Sequence, residues 1–322
     1  MNLEFFYYLL WFFVGLILIV YAGEGFVKAS INIANIFKIP ALYIGTFLIG
    51  FSTSIPEILV TFLASQSGSI DLAIGNVLGS YICNIGFVIG ISALVKPLQI
   101  SRETLEHSIP LLAISIIITA LLLMIDSKFS HLDGIILLTL FIGYLSLCYL
   151  HIKKNKKRFT REDIELKKHP KKVKSCILFT VFLLILLAGS HLMVYNAEKI
   201  ALILQINPLI IGLTIVAIGT SLPELTTCLI SVLKDEHDIA IGNIIGSNIF
   251  CLLCVLSIPL LMAPTGSISP ENLWIPMVMM LILTTALWLF SAKFDKTCQI
   301  SRLEGLFLVS ATSLYLIYTI NT

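Results

Sequence analysis

Glu224 follows Glu57 by 167 residues, and the same offset carries a whole polar pattern from one half of the chain into the other. Gly45, Thr53, Ser54, Pro56, Glu57, Asp71, Gly75, Asn76, Gly79 and Ser80 map without a gap onto Gly212, Thr220, Ser221, Pro223, Glu224, Asp238, Gly242, Asn243, Gly246 and Ser247. Both copies lie in strongly apolar surroundings. Duplicated hydrophobic segments, interrupted by Gly and Pro and carrying polar residues, mark a site assembled between two repeats within a membrane.

Composition agrees. The chain is 57% hydrophobic and 12% charged, whereas a soluble domain carries about 25% charged residues. It cannot cover a water-facing surface, so its solvent is lipid. Apolar runs of roughly 20 residues are long enough to cross the hydrocarbon. They predict ten helices, at 5–34, 40–66, 71–95, 106–125, 131–151, 175–203, 208–233, 238–262, 271–291 and 301–319. The expected fold class is an all-α membrane protein. The first run lacks the basic start and small-residue cleavage site of a signal peptide and is read as a helix.

Eleven of the 21 Lys and Arg residues fall between Lys153 and Lys174. The run has no aromatic platform or nucleic-acid motif, so it reads as a solvated loop. With that loop in the cytoplasm, Lys38, Lys96, Arg102, Lys234, Lys293, Lys296 and Arg302 fall on the same side of a ten-helix chain, and Lys128 is the loop exception. The positive-inside rule then puts both termini outside. Five helices per half is an odd number, so the repeats are inverted: residues 1–151 form the first, 152–174 the basic cytoplasmic linker and 175–322 the second. The seven cysteines show no disulfide framework.

Pro56 and Pro223 each remove a backbone donor just before a glutamate, freeing carbonyls around Thr53 and Thr220 for something polar. Thr53 and Glu57 share a helix face, as do Thr220 and Glu224, Ser80 and Asn84, and Ser247 and Cys251, all four residues apart. Glycines 75, 79, 242 and 246 permit close helix approach. An acidic side chain at a helix centre costs roughly 2.5–3.5 kcal/mol, and Glu57 and Glu224 are the two acids placed deep in the membrane. Glu103, Glu106, Asp133 and Glu271 read as end-of-helix groups, and Glu24 and Glu198 as structural residues near helix ends. Two carboxylates with hydroxyls and carbonyls form an oxygen site suited to a hard divalent cation such as Ca²⁺, for which monovalent ions compete. The plain alternative is a pair of protonated acids that stabilise the fold.

The segments Ser52-Thr53-Ser54-Ile55-Pro56-Glu57 and Gly219-Thr220-Ser221-Leu222-Pro223-Glu224 precede Gly75-Asn76-Val77-Leu78-Gly79-Ser80 and Gly242-Asn243-Ile244-Ile245-Gly246-Ser247, respectively. They resemble the alpha repeats of the cation/calcium exchanger superfamily, in its prokaryotic sodium/calcium exchanger branch. The resemblance implies an antiporter that extrudes Ca²⁺ against Na⁺ influx by alternating access, with helices 1 and 6 sliding across the rest. It implies Glu57 and Glu224 as central Ca²⁺ ligands with the carbonyls of Thr53 and Thr220. Sodium sites would draw on Ser54, Ser80, Ser221 and Ser247 with the carbonyls of Gly50 and Ala217, and Asn84 would lie near the middle. No cofactor is expected beyond the transported Ca²⁺ and Na⁺, and the working unit is a monomer in a bacterial or archaeal plasma membrane.

Two positions depart from the pattern: Tyr81 replaces an asparagine that Asn248 keeps, and Cys251 replaces an Asp or Asn. Cys251 and Cys254 lie one turn apart, which raises a soft-metal alternative. Competing readings are a proton-coupled antiporter, an exchanger of Mn²⁺ or Mg²⁺, and a non-transporting cation-binding scaffold or sensor. An intramembrane hydrolase has little to stand on, since His191 is the one histidine read as intrahelical and lacks an HExxH context.

Overall fold

A computed structural model describes residues 3–37, 39, 41–66, 68, 70–125, 130–162, 172–203, 217–262, 270–292 and 298–321. Among these, ten helical segments follow one another: α1 (Leu3–Phe37), α2 (41–66), α3 (70–95), α4 (104–125), α5 (His131–Glu162), α6 (Lys172–Ile203), α7 (217–233), α8 (His237–Met262), α9 (Pro270–Ser291) and α10 (Arg302–Asn321). Seven are individually long and apolar enough to cross a membrane, and α2 makes an eighth as a bent pair.

One predicted end differs markedly. The fifth helix runs on to Glu162 instead of stopping near 151, because its Lys- and Arg-rich continuation is composed largely of good helix formers. The start predicted for the seventh, 208–216, lies outside the described residues. A short antiparallel pair, β1 (Leu98–Gln99) with β2 (Gln299–Ile300), joins the α3–α4 connection to that before α10.

The surface is the inverse of a soluble protein's. Leu303 is 79% exposed and Ile17 67%, while Thr53, Ser54, Glu57, Ser80, Asn84, Glu224, Ser247 and Asn248 are fully buried. Apolar side chains therefore face lipid, and polar ones line the interior.

The two five-helix halves pack by the same rules. α2 crosses α8, and α7 crosses α3; α5 packs on the end of α8, and α10 on the end of α3; α4 meets α9. These exchanges between halves follow from an inverted repeat. α1 and α6 form a long mutual pair within an apolar cluster that joins Ile19, Phe26 and Ile33 to Phe179 and Leu186 and reaches Ile44 and Ile49 of α2 and Ile239 of α8. Gly15 lets these helices touch, since a Cβ there would meet the backbone of Gly189 and Met193. Glu24, predicted near a helix end, lies well inside α1, and its carboxylate is 3.3 Å from Lys234 Nζ.

α2 and α8 approach closely because their contact is built from small residues. A side chain at Gly246 would collide with the carbonyl oxygen of Thr46, and one at Gly242 with that of Leu42. Gly75 and Gly79, predicted to act likewise in α3, have no such neighbour among the described residues. The counterparts of Leu42 and Thr46 by the 167-residue offset, at 209 and 213, lie outside those residues.

Candidate cation site

α2 breaks at Ser54, whose ψ of 9° departs from helical geometry, and its two parts meet at 45°. α7 breaks at the matching Ser221, with ψ 4°. The interruption thus precedes each proline by two residues. The proline occupies the first turn of the next segment, where its missing N–H costs nothing. Glu57 and Glu224 fall in that first turn as well, at the positive end of a short helix, which favours a negative side chain.

α3 and α8 are also irregular at matched positions. Each turns π-helical, at Asn84–Ile89 and Cys251–Val255, beginning on the two residues related by the repeat. Single π turns cluster at functional sites because they re-aim side chains without ending the helix. Four broken or bulged helices therefore converge on one buried pocket.

Two asparagines outside the predicted site set brace it. Asn76 Nδ2 donates to the Glu57 carbonyl at 3.3 Å, and Asn243 Nδ2 to the Glu224 carbonyl at 3.5 Å. Asn76 also reaches Thr61 Oγ1, while Thr53 Oγ1 donates to Asn243 Oδ1 at 3.2 Å. Their membership of the duplicated set was the available signal. The structure adds the reason: each holds the backbone of a broken helix at its glutamate.

Around Glu224 the predicted residues meet. Ser54 Oγ and Ser247 Oγ lie 2.6 Å apart and reach Glu224 Oε1 at 3.3 and 3.4 Å; Ser54 also donates to the Gly50 carbonyl at 2.8 Å. Asn84 Nδ2 approaches Ser247 Oγ at 3.5 Å and donates to Asn248 Oδ1 at 2.9 Å. The Cys251 thiol lies beside the Ser54 and Ser247 hydroxyls.

The Glu57 side is barer. Thr220 and Ser80 lie beside its carboxylate, yet both Glu57 oxygens, Glu224 Oε2, Ser80 Oγ, Ser221 Oγ and Asn84 Oδ1 are buried with no hydrogen-bond partner among the described residues. Buried polar atoms are nearly always paired, so six unpaired oxygens in one pocket are ready acceptors for a cation. The glutamates are near enough to repel each other. Ala217 is described only through its backbone, in the last turn before the break in α7.

Other predictions fare differently. Among the described residues no three His, Cys, Asp or Glu side chains form a metal-holding group, so Cys251 and Cys254 have no further ligand for a soft metal. Tyr81 turns away from the pocket, and its hydroxyl lies 2.6 Å from Thr284 Oγ1 of α9. Asp133 caps α5 through Ser130, as an end-of-helix acid should. Glu103 does not act in that way alone: it accepts from Tyr43 Oη at 2.8 Å and lies 3.3 Å from His151 Nε2. His151, read as near a loop, is within the prolonged α5.

A polytopic all-helical protein with two inverted repeats and a buried, oxygen-lined pocket at their crossing belongs to the class of membrane cation transporters. The family model for the sodium/calcium exchanger protein matches residues 7–150 and 174–321. The chain belongs to the sodium/calcium exchanger family, in its prokaryotic branch, and is a cation antiporter integral to the membrane.

It is 37% identical over 301 residues to the putative antiporter CaxA of Alkalimonas amylolytica, covering 92% of this chain and 94% of that protein. It is 38% identical to the inner membrane protein YrbG of Escherichia coli (strain K12), covering 80% of each. The solved structure of the sodium-calcium exchanger NCX_Mj, soaked with 10 mM Na⁺ and zero Ca²⁺, matches with a TM-score of 0.81 and 32% identity, over 97% of this chain and 99% of that one. The chain is thus a transporter and not an enzyme.

Proposed function

We propose that this protein extrudes Ca²⁺ in exchange for entering Na⁺, by alternating access to the pocket between α2, α3, α7 and α8. The observation that carries the reading is the pair of buried glutamates, whose carboxylates are left with unpaired oxygens. An isolated buried carboxylate is too costly to remain charged; two of them facing one divalent cation are compensated. Oxygen donors at several angles suit Ca²⁺, which accepts six to eight ligands.

In this reading Glu57 and Glu224 bind Ca²⁺ with the carbonyls of Thr53 and Thr220. Sodium takes two sites related by the repeat. One is formed by Ser54, Ser247, Glu224 and the Gly50 carbonyl, which already adjoin. The other consists of the offset partners Ser221, Ser80, Glu57 and the Ala217 carbonyl. Both ion species need the same carboxylates, so they compete, and competition at one pocket is the physical basis of exchange. The α1–α6 pair, whose contacts are mostly with each other, is the body suited to slide. Both termini lie outside and the 152–174 segment in the cytoplasm of a prokaryotic plasma membrane, with a monomer as the working unit.

The test is Ca²⁺ uptake into proteoliposomes under an outward Na⁺ gradient. Wild-type protein should accumulate Ca²⁺, and Glu57→Gln and Glu224→Gln should each abolish accumulation. Uptake retained in both variants defeats the site assignment. Uptake driven by a pH gradient instead, or flux of Mn²⁺ or Mg²⁺ in preference to Ca²⁺, would redirect the reading to another ion pair. Ca²⁺ binding without flux would make the protein a sensor or scaffold.

A further inference from the structure

The amide pair Asn84 and Asn248 occurs only once, although nearly everything around it occurs twice. The 167-residue offset carries Asn84 onto Cys251 and Tyr81 onto Asn248. On one side, α3 and α8 are joined through Asn84 Nδ2 donating to Asn248 Oδ1 at 2.9 Å. At the corresponding place on the other side stand a thiol and a tyrosine. Tyr81 is fully buried and spends its hydroxyl on Thr284.

An asparagine amide offers two N–H donors and one carbonyl oxygen. In Asn84, Nδ2 faces two acceptors, Asn248 Oδ1 and, more weakly at 3.5 Å, Ser247 Oγ. Its remaining polar atom, Oδ1, is buried without a partner among the described residues. The donor end of the amide is thereby committed to α8, and the acceptor end is the one left to meet a cation. Without the Asn248 carbonyl, the amide could rotate and present N–H groups, which repel a cation. Asn248 is itself fully buried, with its Nδ2 unpaired among the described residues, and was not among the residues expected to form the site.

We infer that Asn248 is a positioning residue for the cation site, holding the Asn84 amide with its oxygen available as a ligand. This rests on the proposed reading of the pocket as the cation site and adds a determinant of its affinity. Because Tyr81 and Cys251 occupy the corresponding positions, this chain has one oriented amide ligand where a symmetric pocket would have a pair.

A double-mutant cycle in proteoliposomes tests the inference, with the half-saturating Ca²⁺ concentration as the readout. Losing one buried hydrogen bond of this kind corresponds to a change of about 2- to 10-fold. Asn248→Ala should raise half-saturation by that factor with maximal flux largely kept, and Asn84→Ala should do at least as much. If Asn248 acts through Asn84, adding Asn248→Ala to Asn84→Ala changes nothing further; effects that multiply in the double variant overturn the proposal. Glu224→Gln separates the two levels. Uptake retained there overturns the cation-site reading itself, whereas uptake lost there with Asn248→Ala unchanged overturns the positioning role alone.

Discussion

Ser54 Oγ and Ser247 Oγ lie 2.6 Å apart, while their partners by the repeat, Ser221 and Ser80, have hydroxyls without a hydrogen-bond partner among the described residues. Among the described residues the duplicated hydroxyls are thus paired around Glu224 and not around Glu57. Two inverted copies of one sequence can adopt unlike conformations at once. In the proposed alternating-access cycle, exchanging those conformations would open the pocket to one side of the membrane and then to the other.

That asymmetry separates stability from transport. Ser54→Ala and Ser247→Ala each remove a buried hydrogen bond and should lower stability by about 1 kcal/mol. Ser80→Ala and Ser221→Ala remove hydroxyls with no hydrogen-bond partner among the described residues and should leave stability unchanged or slightly raised. All four should weaken activation of uptake by Na⁺ if each hydroxyl is a sodium ligand. Thermal melts in detergent and Na⁺ titrations of Ca²⁺ flux give the two readouts.

Asn76 and Asn243 brace the backbone at the two glutamates. Replacing either by Ala removes a buried hydrogen bond to that backbone, at a cost of about 0.5–1.5 kcal/mol. Asn243→Ala should be the more damaging for transport, because its second contact is with Thr53 of the proposed site, whereas that of Asn76 is with Thr61. Melting temperature and maximal flux, compared for the two variants, check both the size and the order.

Gly246 touches the Thr46 carbonyl with no room for a side chain. Gly246→Val should separate α2 from α8 and destabilise the fold by about 1–3 kcal/mol, the usual range for overpacking. Gly143, which has nothing within 4 Å among the described residues, provides the control: Gly143→Ala should change the melting temperature far less.

Outside the membrane, Lys96 Nζ lies 2.6 Å from Asp235 Oδ1, and this hydrogen bond and charge hold the Asp235 carboxyl below the ordinary aspartate range. A depressed carboxyl stabilises the folded state above its unfolded pKa of about 4. That contribution disappears as pH falls through the lower folded value. The pair is exposed and screened by salt, so Lys96→Met should remove only a shallow part of the acid dependence. Melts from about pH 5 downward, at low and high salt, should show the difference fading in salt.

Residues that repeat were legible in the sequence. The offset joining Glu57 to Glu224 announced the two broken helices, because proline and buried acid are each tolerated in a membrane helix for few physical reasons. Helix count followed from apolar length. The end of α5 was misplaced, since a positive-charge run marks water but does not stop a helix. Glu24 was misjudged because its partner Lys234 is 210 residues away, a distance that periodicity cannot bridge.

The sequence by itself determined that the chain crosses a membrane in two related halves and carries one acid from each into the interior. Burial cost and helix geometry are local consequences of residue type and spacing. Only the tertiary structure decided that Ser54 meets Ser247 while Ser80 and Ser221 have no hydrogen-bond partner among the described residues, that Tyr81 turns to Thr284, and that Asn84 donates to Asn248. Those outcomes depend on how α2, α3, α8 and α9 cross, and a hydrogen bond between helices exists only once packing has set their separation to within a few tenths of an ångström.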